Sequence, residues 1–128
     1  MEPTDLRYHK EHEWIRVNGK QATLGISQFA QDALGDIVFI DLPKVGTQVT
    51  AGEQIGEVES TKTTSSIYSP VSGSIVKINA DLQNHPEMVN ADPYGKGWMV
   101  VIDLSEPGQV DTLMTAAQYD AFLNSQKK

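Results

Sequence analysis

From Val45 onward, turn-forming residues recur so closely that nothing longer than a short strand fits between them. Gly46, Gly52, Gly56, Pro70 and Gly73 bracket the segments 47–50, 54–59, 67–69 and 74–79. Short extended segments with turns this frequent belong to small β-sandwiches and barrels, so the chain reads as mainly β. Ile55 and Val58 are out of phase for one face of a regular strand, and Gly56 between them marks a bulge that bends it.

The N-terminal third carries the same signature. Residues 14–17 and 21–26 alternate on either side of Asn18-Gly19, a two-residue hairpin turn. Ser27 is placed to cap a short helix over 28–34, with Phe29 and Ala33 on one face and Gly35 ending it. The run 36–42 reads as a buried strand stopped by Pro43. Pro86 and the segment 92–97 mark a loop-rich crossing before a last strand at 98–104. Thr115 and Gln118 have capping-box spacing, and a C-terminal helix follows over 116–123, with 124–128 frayed. The 128 residues form a single domain, 1–128, with no linker.

Composition removes several classes of function. With 39% hydrophobic and 21% charged residues the chain has material for one core. A net charge of −7 with no basic run lacks the footprint that nucleic acid or an anionic membrane surface demands. No stretch has the length of a transmembrane span, and Glu2 and Asp5 stand where a targeting peptide carries basic residues. A cytoplasmic, bacterial-type protein is expected, with a mature organellar form as the alternative. The absence of cysteine removes disulfides, thiolate nucleophiles, iron–sulfur ligation and most zinc sites, so any sulfur redox chemistry must arrive on a cofactor.

Candidate chemistry narrows to one segment. His9, His12 and His85 have no nucleophile-elbow or triad-like signature around them. His9-Lys10-Glu11-His12-Glu13 has the order His-x-x-His-Glu, the wrong one for a zinc-protease helix, and no metal site is expected. Gly95-Lys96-Gly97 lacks phosphate-loop spacing and reads as a turn. In Ser60-Thr61-Lys62-Thr63-Thr64-Ser65-Ser66, six small hydroxyl residues surround one lysine between two strands. Such a connection sits at the surface and presents Lys62 without a bulky neighbour. Two readings follow from the residues: a solubilising turn lysine, or an amine presented for covalent modification.

Gly56-Glu57-Val58-Glu59-Ser60-Thr61-Lys62-Thr63, followed by Ile67-Tyr68-Ser69-Pro70-Val71-Ser72-Gly73, resembles the attachment hairpin of biotinyl and lipoyl carrier domains. More narrowly, the chain resembles the H-protein family of the glycine cleavage system. His12-Glu13-Trp14, Leu24-Gly25-Ile26, Ala30-Gln31-Asp32, Leu34-Gly35-Asp36, Leu42-Pro43, Val89-Asn90 and the run Asp92-Pro93-Tyr94-Gly95-Lys96-Gly97-Trp98 follow that family's pattern in order, over about residues 6–123. The resemblance implies a barrel-sandwich hybrid of the biotinyl/lipoyl carrier type and a non-catalytic carrier with no catalytic residue of its own. It implies lipoic acid in amide linkage to Lys62, on a hairpin shaped by Glu59, Ser60, Thr61 and Thr63. The implied partners are a pyridoxal phosphate-dependent glycine decarboxylase, a tetrahydrofolate-dependent aminomethyltransferase, a flavin-dependent dihydrolipoyl dehydrogenase and a lipoate-attaching enzyme, served by a monomer. Net acidity makes salt-sensitive docking on basic partner surfaces the expected mode, with Glu57 and Glu59 the acids nearest Lys62.

Some members of the family line the cleft for the loaded arm with an acid four positions after the lysine and a histidine in the short helix. This chain has Ser66 and Ala33 there, and keeps Glu13, which is expected to contact the loaded amine. Biotin carriers flank their lysine with methionines, whereas Thr61 and Thr63 flank Lys62. The alternatives are a lipoyl or biotinyl carrier of another multienzyme complex and an unmodified interaction module.

Overall fold

The computed structural model describes residues 5–126. In chain order the strands are β1 (Arg7–Tyr8), β2 (Glu13–Asn18), β3 (Gln21–Ile26), β4 (Ile37–Asp41), β5 (Gln48–Val49), β6 (Gln54–Ser60), β7 (Thr64–Tyr68), β8 (Gly73–Ile78) and β9 (Val100–Leu104). The α-helices are α1 (Gln28–Leu34), α2 (Met88–Ala91) and α3 (Ala116–Gln126), with 3-10 turns at Ala80–Gln83 and Pro107–Thr112. Two sheets form: a six-stranded one ordered β1-β2-β3-β9-β8-β5 and a three-stranded one ordered β4-β6-β7, with neighbours antiparallel throughout. This is the mainly β sandwich that the dense punctuation predicts. No helix among the described residues is long and apolar enough to cross a membrane.

Alternating side chains from the two sheets meet in one core. Ile15, Leu24, Ile75 and Ile102 of the large sheet pack with Ile37, Ile40, Val58 and Ile67 of the small one, and Leu34, Leu82 and Val89 close the ends. A second cluster, Leu6, Tyr8, Trp14, Tyr119 and Leu123, fastens α3 to the opposite side of β1 and β2. Tyr8 and Tyr119 stack with centroids 4.6 Å apart and planes 2° apart. Trp14 lies directly across the ladder from Gly25, and its indole donates to the carbonyls of Ile26 and Pro93, each at 3.0 Å.

Several local expectations hold. Ser27 Oγ accepts from Ala30 N–H at the start of α1, and Gly35 ends the helix at φ 82°. Thr115 and Gln118 exchange the two bonds of a capping box. The β6–β7 register shifts between Gln54 and Gly56, where the bulge was expected.

Others are corrected. The first hairpin turns one residue later, through Gly19 and Lys20, because Asn18 pairs with Gln21; Gly19 supplies the positive φ of 65°. The α1 residues buried in the core are Gln31 and Leu34, while Ala33 is exposed and Phe29 half-buried. β4 is not a buried strand. A register shift between Ile37 and Phe39 sends Val38 and Phe39 outward, each about half exposed, and leaves only Ile37 and Ile40 inside. β9 begins at Val100, two residues later than expected, and α3 continues through 124–126 instead of fraying. The remaining tail, 127–128, lies outside the described residues. β1, α2 and both 3-10 turns were not foreseen.

A carbon placed on Gly25 would lie 2.7 Å from the Trp14 ring. Gly25→Ala therefore displaces an indole that two carbonyls hold, and is expected to cost about 1–3 kcal/mol in urea unfolding through a shifted midpoint with an unchanged slope.

Candidate functional site

The β6–β7 hairpin is tighter than the hydroxyl-rich segment suggests, because the ladder extends into it. Glu59 pairs with Thr64 and Glu57 with Ser66, leaving only Thr61, Lys62 and Thr63 between the strands. Ser60, 7% exposed, organises this turn. Its Oγ accepts from the N–H groups of Lys62 (3.2 Å) and Thr63 (3.1 Å), while its own N–H donates to Thr63 O (2.8 Å). A serine hydroxyl folding back on the following backbone is a standard way to fix a short turn. The remaining tip amide, Thr61 N–H, donates outward to Asp36 O at 3.0 Å, pinning the hairpin to the corner between α1 and β4.

Lys62 is exposed, as expected, but its stem does not project freely. A carbon built on Gly35 would lie 3.2 Å from Lys62 Cε and 3.7 Å from Nζ, so the lysine lies back across bare glycine backbone. Gly35 has φ 82° and ψ −148°, a region that residues with a Cβ avoid. Among the described residues the Lys62 amine has no hydrogen-bond or ion-pair partner, which leaves it available for acylation without breaking an internal contact.

Beside the hairpin runs a groove of about 270 Å³. Phe29, Ala30, Ala33 and Leu34 of α1 form its apolar wall, Thr63, Thr64 and Ser65 the hydroxyl wall, and Glu11 and His12 one end. His12 has φ 76°, stacks on Phe29 at 4.7 Å, and places Nδ1 2.7 Å from Tyr119 Oη, which is in turn 2.8 Å from Ser27 Oγ. Burial lowers the His12 pKa, and the Glu11 carboxylate opposes that effect, so at neutral pH the ring is uncharged. A cavity of similar size, about 280 Å³, lies on the outer face of the large sheet among Arg16, Thr23, Lys77 and Trp98, and none of the hairpin residues lines it.

Glu13 does not line the groove. It is 1% exposed, with one carboxylate oxygen 2.8 Å from His9 Nδ1 and the other accepting from Tyr68 N–H at 2.9 Å. It is thus neither a solvated strand residue nor an open contact for a loaded amine, and it ties β2 to β7 across 55 residues of sequence. Glu59, Thr61 and Thr63 are exposed around Lys62, as the attachment segment suggests. His9 and His12 bond to different partners, and no group of three or more potential metal ligands converges among the described residues. Glu11, His12 and Gly35 were missed as site residues. Their sequence signals, an exposed acid, a histidine in a polar run and a helix-stop glycine, are indistinguishable from ordinary surface features.

Desolvation pushes the Glu13 carboxyl above its ordinary 4.5, with the His9 and Tyr68 hydrogen bonds acting against it. The unfolded chain then releases this proton first as pH rises. Stability from the group is fullest below about 4.5 and declines toward the raised folded value. Thermal melts of Glu13→Gln across that range are expected to lack this decline, so the variant gains on the parent as pH increases.

The model of the family described as glycine cleavage H-protein matches residues 6–126. A glycine cleavage system H protein of Geobacillus thermodenitrificans is 54% identical over 122 residues, covering 95% of this chain and 96% of the relative. That of Bacillus subtilis is 51% identical over 118 residues, covering 92% and 93%. The crystal structure of a glycine cleavage system H protein from Mycobacterium marinum superposes with a TM-score of 0.88 at 41% identity, covering 95% of this chain and 98% of that one. Its barrel-sandwich fold is the one built here from two sheets. On matches that run through nearly its whole length, the chain belongs to the glycine cleavage H-protein family.

Proposed function

We propose that Lys62 carries lipoic acid in amide linkage and that the chain is the mobile carrier of the glycine cleavage system. A pyridoxal phosphate-dependent glycine decarboxylase loads an aminomethyl group, a folate-dependent aminomethyltransferase removes it, and a flavin-dependent dihydrolipoyl dehydrogenase restores the disulfide. A lipoate-attaching enzyme primes the lysine beforehand. The observation that carries this reading is the Lys62 amine, without a hydrogen-bond or ion-pair partner among the described residues and exposed on a turn whose backbone N–H groups are all occupied. When bound there, lipoic acid supplies the dithiolane chemistry that a cysteine-free chain cannot.

The chain's own contribution is positional. The turn holds the attachment point while the stem swivels, and tethering keeps the reactive end at high effective concentration for each enzyme in turn. The groove of α1 offers the returning arm an apolar wall that excludes water, and Glu11 at its end offers a negative charge to a cationic cargo. In this reading Glu11 takes the place of the acid absent at Ser66, and Glu13 acts only through the fold.

Protein made in a lipoate-competent host is expected to gain the intact mass of one lipoyl group, and Lys62→Arg to gain none and to abolish glycine-dependent ammonia release with the partner enzymes. Retention of either by the variant rejects the assignment of Lys62. For the groove, Glu11→Gln on loaded holoprotein is expected to shorten the life of the aminomethyl cargo about two- to fivefold, the scale of an exposed ion pair. Ala33→Trp, which fills the groove, is expected to shorten it further. Both are read as formaldehyde and ammonium released in the absence of folate, and unchanged lifetimes in both variants reject groove docking.

A further inference from the structure

Gly35, Asp36 and Ile37 form the corner on which the lysine hairpin rests, and a single side chain from a distant part of the sequence holds that corner. Asn90, on the four-residue helix α2, donates from Nδ2 to Gly35 O at 2.8 Å and to Gln31 Oε1 at 2.9 Å, and its Oδ1 accepts from Ile37 N–H at 2.9 Å. The bonds to Gly35 O and Ile37 N–H lie on either side of Asp36, whose carbonyl receives Thr61 N–H from the hairpin turn. Both N–H donors and the oxygen of the amide are engaged, so the orientation of the group is fixed. The peptide planes that flank Asp36 are fixed with it, and Asp36 O is aimed at the turn. The same bond to Gly35 O helps to hold Gly35 in its glycine-only conformation, over which the Lys62 stem passes. The adjacent Val89, fully buried in the same core cluster as Leu34 and Ile37, keeps α2 in place.

We infer that Asn90 is a positioning residue for Lys62: by clamping the peptide groups around Asp36 it fixes where the hairpin presents the lysine amine to the enzyme that acylates it. This rests on the reading of Lys62 as the acylated lysine. Acylation joins the uncharged amine nitrogen to the carbonyl carbon of an activated acyl group such as an acyl adenylate. The C–N bond forms, the nitrogen loses a proton and the adenylate leaves. The attaching enzyme must meet that nitrogen along a narrow approach, and displacement of the turn by an ångström lowers the rate without touching the lysine. Among the described residues no hydrogen bond or ion pair joins α2 to the amine, so the effect passes through the corner.

The test uses full-length apoprotein with a lipoate ligase, lipoate and ATP, and compares Asn90→Ala, Asn90→Asp and Val49→Ala. Asn90→Asp keeps the acceptor for Ile37 N–H but sets a carboxylate oxygen against the acceptors Gly35 O and Gln31 Oε1. Val49→Ala removes core volume on β5, away from the hairpin, and serves as a control for loss of stability alone. Asn90→Ala is expected to lower kcat/KM for acylation of Lys62 on the order of tenfold and to raise native-state exchange of the Thr61 amide by a similar factor. Asn90→Asp is expected to fall at least as far, and Val49→Ala to leave both readouts near the parent once its stability loss is taken into account. Parental acylation by both Asn90 variants, or unchanged Thr61 exchange, overturns the inference, as does a Val49→Ala protein that reproduces both effects. Failure of the parent itself to be acylated rejects the assignment of Lys62 instead, and the exchange measurement still decides whether the clamp holds the turn.

Discussion

A turn that must present a lysine cannot be anchored by a hydrophobic side chain, so its position has to come from hydrogen bonds between groups that would otherwise face water. In this chain those bonds form a relay. Asn90 holds Gly35 and Ile37, Asp36 between them holds Thr61, and Ser60 folds its hydroxyl under Lys62 and Thr63. Each bond is modest taken alone, but a polar network with every partner satisfied specifies one geometry more sharply than its summed strength suggests. The rest of the fold supports this relay. Val89 seats α2 in the core, and the 92–97 segment fastens the same region to the large sheet through Trp14 and Pro93, and to α1 through the Tyr94 hydroxyl and Gln28 N–H.

The small sheet has two faces with different tasks. Inward, Ile40, Val58 and Ile67 join the core. Outward, Phe39, Glu59 and Thr64 form one cross-strand row and Asp41, Glu57 and Ser66 the next, and none of the three strands carries a lysine or arginine. This combination of an exposed aromatic ring and uncompensated acids next to Lys62 gives the net charge of −7 a local address, which the composition alone could not. Charged surfaces of this kind affect encounter rates more than final affinity, which suits a carrier that has to leave each partner again.

Where structure is set by neighbours in sequence, the sequence was legible. The Ser27 and Gly35 limits of α1, the Thr115–Gln118 box and the bend near Gly56 each depend on residues only a few positions apart. The exposure of Lys62 was visible too, because a hydroxyl-rich turn offers nothing to bury. What stayed hidden depends on partners far along the chain. Glu13 is buried because Tyr68 N–H and His9 meet it there, and nothing in His-Glu-Trp announces that. Val38 and Phe39 read as buried because they continue an apolar run, and a one-residue register shift reversed them. Asn90 looked like a loop residue. Its three bonds reach back to residues between 31 and 37, a distance in sequence that no periodicity records.

The order of these residues along the chain gives the clamp a place in time. Lys62 leaves the ribosome before Asn90, and β9, which lies between β3 and β8 in the large sheet, is made later still. At a synthesis rate of about 5–20 residues per second, the lysine is chemically present for seconds while the corner beneath it has no clamp and the sheet has a gap. A hairpin folded by local contacts alone would reach its final geometry during that interval. This one is finished only when β9 and α2 have closed over the core, so the final geometry of the turn also records that the large sheet has been completed.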